Sequence, residues 1–272
     1  MFRTSLHPIK FILRQTSHLQ TLLRRHWAQK KFLNNSAFSH TMHCTIAYNE
    51  LGTYCVPLSG VDRPAAQKVL QGQTYEPETI TFMQQHHFGN DIIHAGTFFG
   101  DFLPGLSSSC SPTQTIWAFE PNPESFDCAQ ITIALNKLKN VVLNNAGLGD
   151  IEQEGSFQTH DAHGHALGGA SHFIPQESNH STRISITTID ARIPPERKIG
   201  IIQLDVEGFE INALKGAMRT IRTWHPILIL EQFPDADIMA DPWFQRNILA
   251  QGYSLLTRLH GNLVFQYNPQ IV

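Results

Sequence analysis

His94-Ala95-Gly96-Thr97-Phe98-Phe99-Gly100, with Glu120-Pro121-Asn122-Pro123 beginning 20 residues after Gly100, decides how this 272-residue chain is to be read. The heptapeptide leaves the apolar run Asp91 to Ala95, so its glycines stand on a turn between a strand and a helix, where glycine permits φ > 0 and close backbone approach. Glu120 closes the next apolar run, Thr115 to Phe119. A carboxylate at the end of a second strand can accept both hydroxyls of an adenosine ribose.

That spacing alone also suits a dehydrogenase, and the loop discriminates. A dinucleotide fold needs GxGxxG so that pyrophosphate can lie on a helix N-terminus, but here Phe98 and Phe99 fill the loop and the second glycine of that fingerprint is missing. S-adenosylmethionine has no phosphate to cradle and fits better.

Working outward, further apolar runs of strand length follow at Asn140 to Asn144, Ile199 to Leu204 and Pro226 to Leu230, separated by segments long enough for helices. They are apolar almost throughout, as expected of parallel strands covered on both faces. Thr79 to His87 reads as a helix entered at Pro77 and stopped by Gly89. Trp243 to Gln251 reads as another, with Trp243 and Phe244 as core residues. Ser254 to Leu259 and Leu263 to Tyr267 read as a hairpin around His260, Gly261 and Asn262. The expected fold is α/β: a mostly parallel, Rossmann-like seven-stranded sheet ending in an antiparallel hairpin, with an N-terminal helical extension. Residues 1–72 are assigned to that extension and its lead-in, including a short strand near Thr45 to Tyr48, and 73–272 to the catalytic domain.

Upstream, Arg3, Lys10, Arg14, Arg24, Arg25, Lys30 and Lys31 all precede the first acidic residue, Glu50. Phe11 to Phe32 carries apolar residues at loose helical spacing. Such a segment suits a transit peptide, a membrane-surface helix or a docking helix, and a helix that packs on the core or pairs subunits into a homo-oligomer is the preferred reading. No apolar run is long enough to span a bilayer. A net charge of -3 argues against nucleic acid as a partner, and four cysteines without a CxxC pair fit a reducing cytoplasm.

Several stretches resemble the FkbM-type methyltransferase family in order, over roughly Tyr75 to Phe233. They are Tyr75-Glu76-Pro77, the Gly96 to Gly100 loop, Trp117 to Pro123, Asn145 to Asp150, Gly168 to Ser171, Thr188-Ile189-Asp190, Leu204-Asp205-Val206-Glu207-Gly208-Phe209-Glu210 with Leu214 to Ala217, and Pro226 to Glu231. The resemblance implies a class I methyltransferase fold, S-adenosylmethionine as cofactor and mostly O-methyl transfer to sugars or other small hydroxylated molecules. Glu76, His94, Gly96, Thr97, Phe98, Gly100, Glu120, Pro121, Asn122, Ala146, Gly147 and Asp205 are the cofactor-binding candidates. One departure is visible: the family carries Asp where this chain has His94. Neutral, His94 could accept a hydrogen from the methionine ammonium; protonated, it would repel that group and weaken binding at low pH. A catalytically silent binding module and an NAD-dependent oxidoreductase are therefore kept as alternatives.

Methyl transfer to a hydroxyl calls for a base. Asp205, at the carboxyl end of its strand, is the first candidate, with Glu207 and Glu231 beside it; a capping role for Asp205 at the helix near Phe209 is the competing assignment. His225 precedes its strand and is read as structural. Ile151 to Ser181 is polar and rich in histidine and reads as a long loop, a substrate-covering lid before a metal site. Asp161, His163 and His165 could hold a divalent ion, but their spacing is not diagnostic and no metal is expected.

Overall fold

A computed structural model describes residues 43–158, 172–174, 181–232 and 237–270. The described residues belong to one compact unit, His43–Val272, and residues 1–42, with the helices expected over Phe11 to Phe32, lie outside the described residues.

Strands β1 (Cys44–Tyr48) and β2 (Thr53–Pro57) pair antiparallel. Asn49 shapes their turn, its Oδ1 accepting the N–H groups of Leu51 and Gly52 at 2.9 and 3.2 Å. A 3₁₀ turn, Leu58–Gly60, leads to α1 (Pro64–Leu70) and then α2 (Pro77–His86), both opened by proline, whose fixed φ suits a helix start. Next come β3 (Asp91–Ala95), α3 (Leu103–Ser109), β4 (Ile116–Phe119), α4 (Pro123–Leu135) and β5 (Val141–Asn144). Four strands follow: β6 (Gly147–Leu148), β7 (Gln153–Gln158), β8 (His172–Ile174) and β9 (Ser181–Thr187). The chain continues through α5 (Ile189–Arg192), β10 (Ile199–Leu204), α6 (Glu210–Lys215), α7 (Met218–Trp224) and β11 (Ile227–Glu231). It closes with α8 (Pro242–Asn247), β12 (Tyr253–Leu259) and β13 (Asn262–Tyr267).

The main sheet runs β12-β13-β11-β10-β3-β4-β5. Its pairs are parallel from β11 to β5, and β13 is antiparallel to both β11 and β12. This is the Rossmann-like seven-stranded sheet with a terminal antiparallel hairpin that the sequence predicts. Side-chain alternation explains why the strands read as unbroken apolar runs. Ile93, Ala95, Ile202, Leu204, Leu228 and Leu230 enter one core cluster, while Ile92, Ile116, Ile201, Ile227 and Ile229 enter the other. Phe244 is fully buried in the first, and Trp243 packs against it. Strand order reverses between β3, which is followed outward by β4 and β5, and β10, which is followed the other way by β11. A crevice therefore opens beyond their carboxyl ends.

The opposite end is fastened by Asp91. Its carboxylate accepts two Arg197 N–H groups at 2.6 Å each, the Trp117 indole N–H at 2.9 Å and the Thr115 N–H at 2.9 Å. The β1–β2 hairpin is tied to α4, where the Cys55 N–H donates to Thr132 Oγ1 at 3.0 Å and the Thr53 N–H to Asn136 Oδ1 at 2.9 Å.

One expectation is corrected. Ile151 to Ser181 is not simply a loop, because β7, β8 and β9 join β6 in a second sheet of order β6-β9-β7-β8. The histidines at 160, 163, 165 and 180, with Asp161, lie outside the described residues.

Candidate active site

The loop after β3 is shaped by two close approaches. Gly96 has φ +80°, and a Cβ on it would lie 1.8 Å from the Asp205 carbonyl oxygen. Only glycine lets β3 and β10 end so near one another. Phe98 takes a left-handed conformation at φ 50°, unusual for a bulky residue, and its N–H donates to Glu120 Oε2 at 2.7 Å. The second Glu120 oxygen accepts the Asn122 N–H at 2.8 Å, and Asn122 caps α4 by accepting the Glu124 N–H at 3.0 Å. Glu120 thus joins the two loops that flank the crevice.

A cavity of about 220 Å³ occupies this position. His94, Gly96, Phe98, Glu120, Asp205, Glu207 and Glu231 line it, so seven sequence candidates are brought together. Arg63, Pro64, Ala65, Tyr75, Asp101, Phe102 and Gln203 complete the lining and are not among the sequence's site candidates, although Tyr75 belongs to a stretch that carries the family resemblance. Asp101 and Gln203 left a trace in the sequence, the first as a carboxylate immediately after Gly100 and the second as a polar residue inside an apolar strand. Arg63, Pro64 and Ala65 left none, since only tertiary packing carries α1 to the crevice.

Five carboxyl groups face Arg63 alone as a fixed cation among the described lining residues. Burial drives up the proton affinities of Asp101, Glu120, Asp205 and Glu207. Glu120 is pushed up to about 8, and Asp101 to about 7, chiefly by desolvation. Glu207, held at φ 54°, is pushed to about 7 by burial and the Glu231 charge, against the pull of Arg63. Asp205 lies well above the ordinary carboxylate range, first through burial and then through the neighbouring Glu231. Asp205 does not cap α6. The loop after β10 is instead held by Glu210, whose Oε1 accepts the N–H groups of Val206 and Gly208 at 3.0 and 3.3 Å.

His94 is 2% exposed and stacks on Phe102, with ring centroids 5.2 Å apart and planes 6° from parallel. Its Nδ1 is hydrogen-bonded to Gln203 Oε1, its cross-strand neighbour in the β3–β10 register. Its Nε2 is buried with no partner among the described residues. Burial lowers the imidazole to about 4, so the ring is neutral at neutral pH.

The remaining candidates are not among the lining residues. Glu76 is buried at φ 43° before α2, its Oε2 accepting from Thr79 Oγ1 and Asn262 Nδ2, each at 2.8 Å. Thr97 is fully buried and donates to the His94 carbonyl at 3.2 Å. Gly100 has φ +83°. Pro121 and Asn122 lead into α4, Ala146 is buried, and Gly147 pairs with Ile186 in the second sheet. His225 ends α7 at the far edge and stacks on Tyr267, centroids 3.9 Å apart. Among the described residues no group of three or more His, Cys, Asp or Glu side chains is placed to hold a metal ion. No described helix is long and apolar enough to cross a membrane.

Comparison with known proteins agrees with this architecture. The family profile described as the Methyltransferase FkbM domain matches residues 89–255. Solved structures similar to the chain include methyltransferase FkbM from Methylobacillus flagellatus KT, with 18% identity and a TM-score of 0.47, covering 66% of this chain and 44% of that one. A SAM-dependent methyltransferase from Aquifex aeolicus aligns with 13% identity and a TM-score of 0.39, covering 76% and 93%. M. jannaschii TYW2 in complex with AdoMet aligns with 13% identity and a TM-score of 0.41, covering 85% and 90%. The chain thus spans less than half the length of the Methylobacillus protein. No curated protein matches it.

Proposed function

The chain belongs to the FkbM methyltransferase domain family, and on that footing we propose that it is an S-adenosylmethionine-dependent methyltransferase acting on a hydroxyl of a small molecule or sugar. One observation carries the reading. The crevice at the strand-order reversal crowds five carboxyl groups around one fixed cation among its described lining residues, Arg63, and burial strains four of them, Asp101, Glu120, Asp205 and Glu207, by raising their proton affinities. A cationic ligand relieves that strain, and a pyrophosphate would add to it.

The residues present fit the cofactor. Glu120 has a spare lone pair on each oxygen for ribose hydroxyls, because each accepts one backbone N–H. His94 Nε2 is a buried ring nitrogen without a partner among the described residues. Phe98 and Phe102 supply apolar surface beside it. When bound, S-adenosylmethionine supplies a methyl carbon activated by its sulfonium.

The chain's own groups then orient the acceptor and take its proton. Asp205, with proton affinity raised by burial and by Glu231, is a stronger base than an exposed carboxylate. Asp205 in its ionised form, with Glu231 beside it, takes the proton of the acceptor hydroxyl as that oxygen bonds the methyl carbon. Glu207 and Arg63 frame the same side and contribute to orientation.

Calorimetry with S-adenosylmethionine, S-adenosylhomocysteine and NAD tests the cofactor, and transfer of labelled methyl groups to a library of sugars and small alcohols tests the reaction. Binding of both adenosyl ligands with turnover of a hydroxylated acceptor is expected. Binding of NAD alone rejects the proposal, and cofactor binding without any transfer rejects its catalytic part.

A further inference from the structure

We propose that Gln203 is a positioning residue that fixes His94 in its Nδ1–H tautomer, so that Nε2 offers a lone pair to the ammonium group at the amino-acid end of the cofactor. This rests on S-adenosylmethionine being the ligand.

The geometry leaves His94 few choices. The residue is 2% exposed, and Phe102 stacks on the imidazole. In a neutral imidazole one nitrogen donates and the other accepts. Gln203 presents its carbonyl oxygen to Nδ1, which must then carry the hydrogen, and Nε2 becomes the acceptor. The two residues are neighbours on adjacent strands and share one face of the sheet, so the contact is built into the β3–β10 register. Gln203 is itself 3% exposed.

Nε2 is buried without a partner while His94 lines the cavity, so the acceptor wants a donor from whatever fills that space. Around it stand Asp101, Asp205 and Glu231, which are acceptors when ionised, and Arg63 is the sole fixed cation among the described lining residues. An ammonium has three donors and no acceptor, which suits an edge made of lone pairs.

Nitrogen-15 NMR of histidine-labelled protein, with His94 identified by a His94→Asn variant, reads the tautomer directly. Affinities for S-adenosylhomocysteine and for 5′-methylthioadenosine, which lacks the amino-acid end, read its consequence across pH 5–8. The parent should show a protonated Nδ1 and a bare Nε2, with binding insensitive to His94 titration. Gln203→Leu should weaken S-adenosylhomocysteine by about tenfold and leave methylthioadenosine within about twofold. Gln203→Glu keeps the acceptor but adds charge, raising the His94 pKa, so S-adenosylhomocysteine binding should fall as the pH drops toward 5 while methylthioadenosine binding stays level. A protonated Nε2 in the parent, or equal losses for the two ligands in both variants, overturns the assignment. A parent that binds neither ligand overturns the cofactor reading instead.

Discussion

The α-carbon of Gly96 faces the carbonyl of Asp205 so closely that a methyl group on it would lie 1.8 Å from the oxygen. The contact joins the first strand of the crevice to the strand carrying the proposed base, and the Asp205 N–H donates to the Ala95 carbonyl at 3.1 Å beside it. Gly96→Ala must separate the two strand ends and strain a backbone at φ +80°. A loss of about 3 kcal/mol in stability is expected from overpacking and the unfavourable φ together. Urea denaturation measures it, and an unchanged midpoint would show that the strand ends move apart freely.

Glu120 holds two backbone N–H groups and also faces the cavity. Glu120→Gln preserves the shape but can direct only one oxygen, and its amide hydrogens oppose either the Phe98 or the Asn122 N–H. Affinity for S-adenosylhomocysteine should drop by about tenfold or more, with a lower melting temperature in the free protein. Calorimetry and thermal unfolding read the two effects separately. Equal affinity in the variant would remove Glu120 from the proposed ribose contact.

Protons should leave the site when a cation enters. Glu120 is raised to about 8, and Asp101 and Glu207 to about 7, so the folded protein at pH 6–7 holds protons that the unfolded chain has released. The sign follows: these groups contribute most to stability below the ordinary carboxylate range, and the contribution is lost as pH rises through 7 to 8. S-adenosylmethionine should release more protons than uncharged-sulfur S-adenosylhomocysteine at pH 6.5. Calorimetry in buffers of differing ionisation enthalpy counts them, and proton uptake on binding would contradict the expectation.

Asp91 bears on stability alone, since it lies at the amino end of the sheet. Asp91→Ala leaves Arg197 and the Trp117 indole N–H without their shared acceptor. Removing one partner of a buried pair costs about 3–5 kcal/mol, and the partial exposure of Arg197, at 30%, puts the expected loss near the lower figure. Cofactor affinity measured well below the new melting temperature should be unchanged.

The parallel core was legible because Ile92, Ile93, Ile201, Ile202, Leu228 and Ile229 have apolar neighbours on both faces, and such strands announce themselves by composition. The terminal hairpin was legible from its short turn. The second sheet was not. Gln153–Gln158 buries only Phe157, and its partner Ser181–Thr187 lies far along the chain, so neither strand carries a strong local pattern. Loop residues at the strand ends, such as Gly96, Glu120 and Asp205, could be placed on the crevice by topology alone. Gln203 could not, because its meaning depends on standing opposite His94, and strand register is set by packing across the whole sheet.

Part of the cavity wall, Arg63, Pro64 and Ala65, comes from a segment preceding the span 89–255 that the family profile matches. Common ancestry therefore vouches for the floor of the crevice and is silent about this side of it. Changing Arg63, Pro64 or Ala65 would reshape the opening through which an acceptor must come while leaving every residue from Gly96 to Glu231 in place.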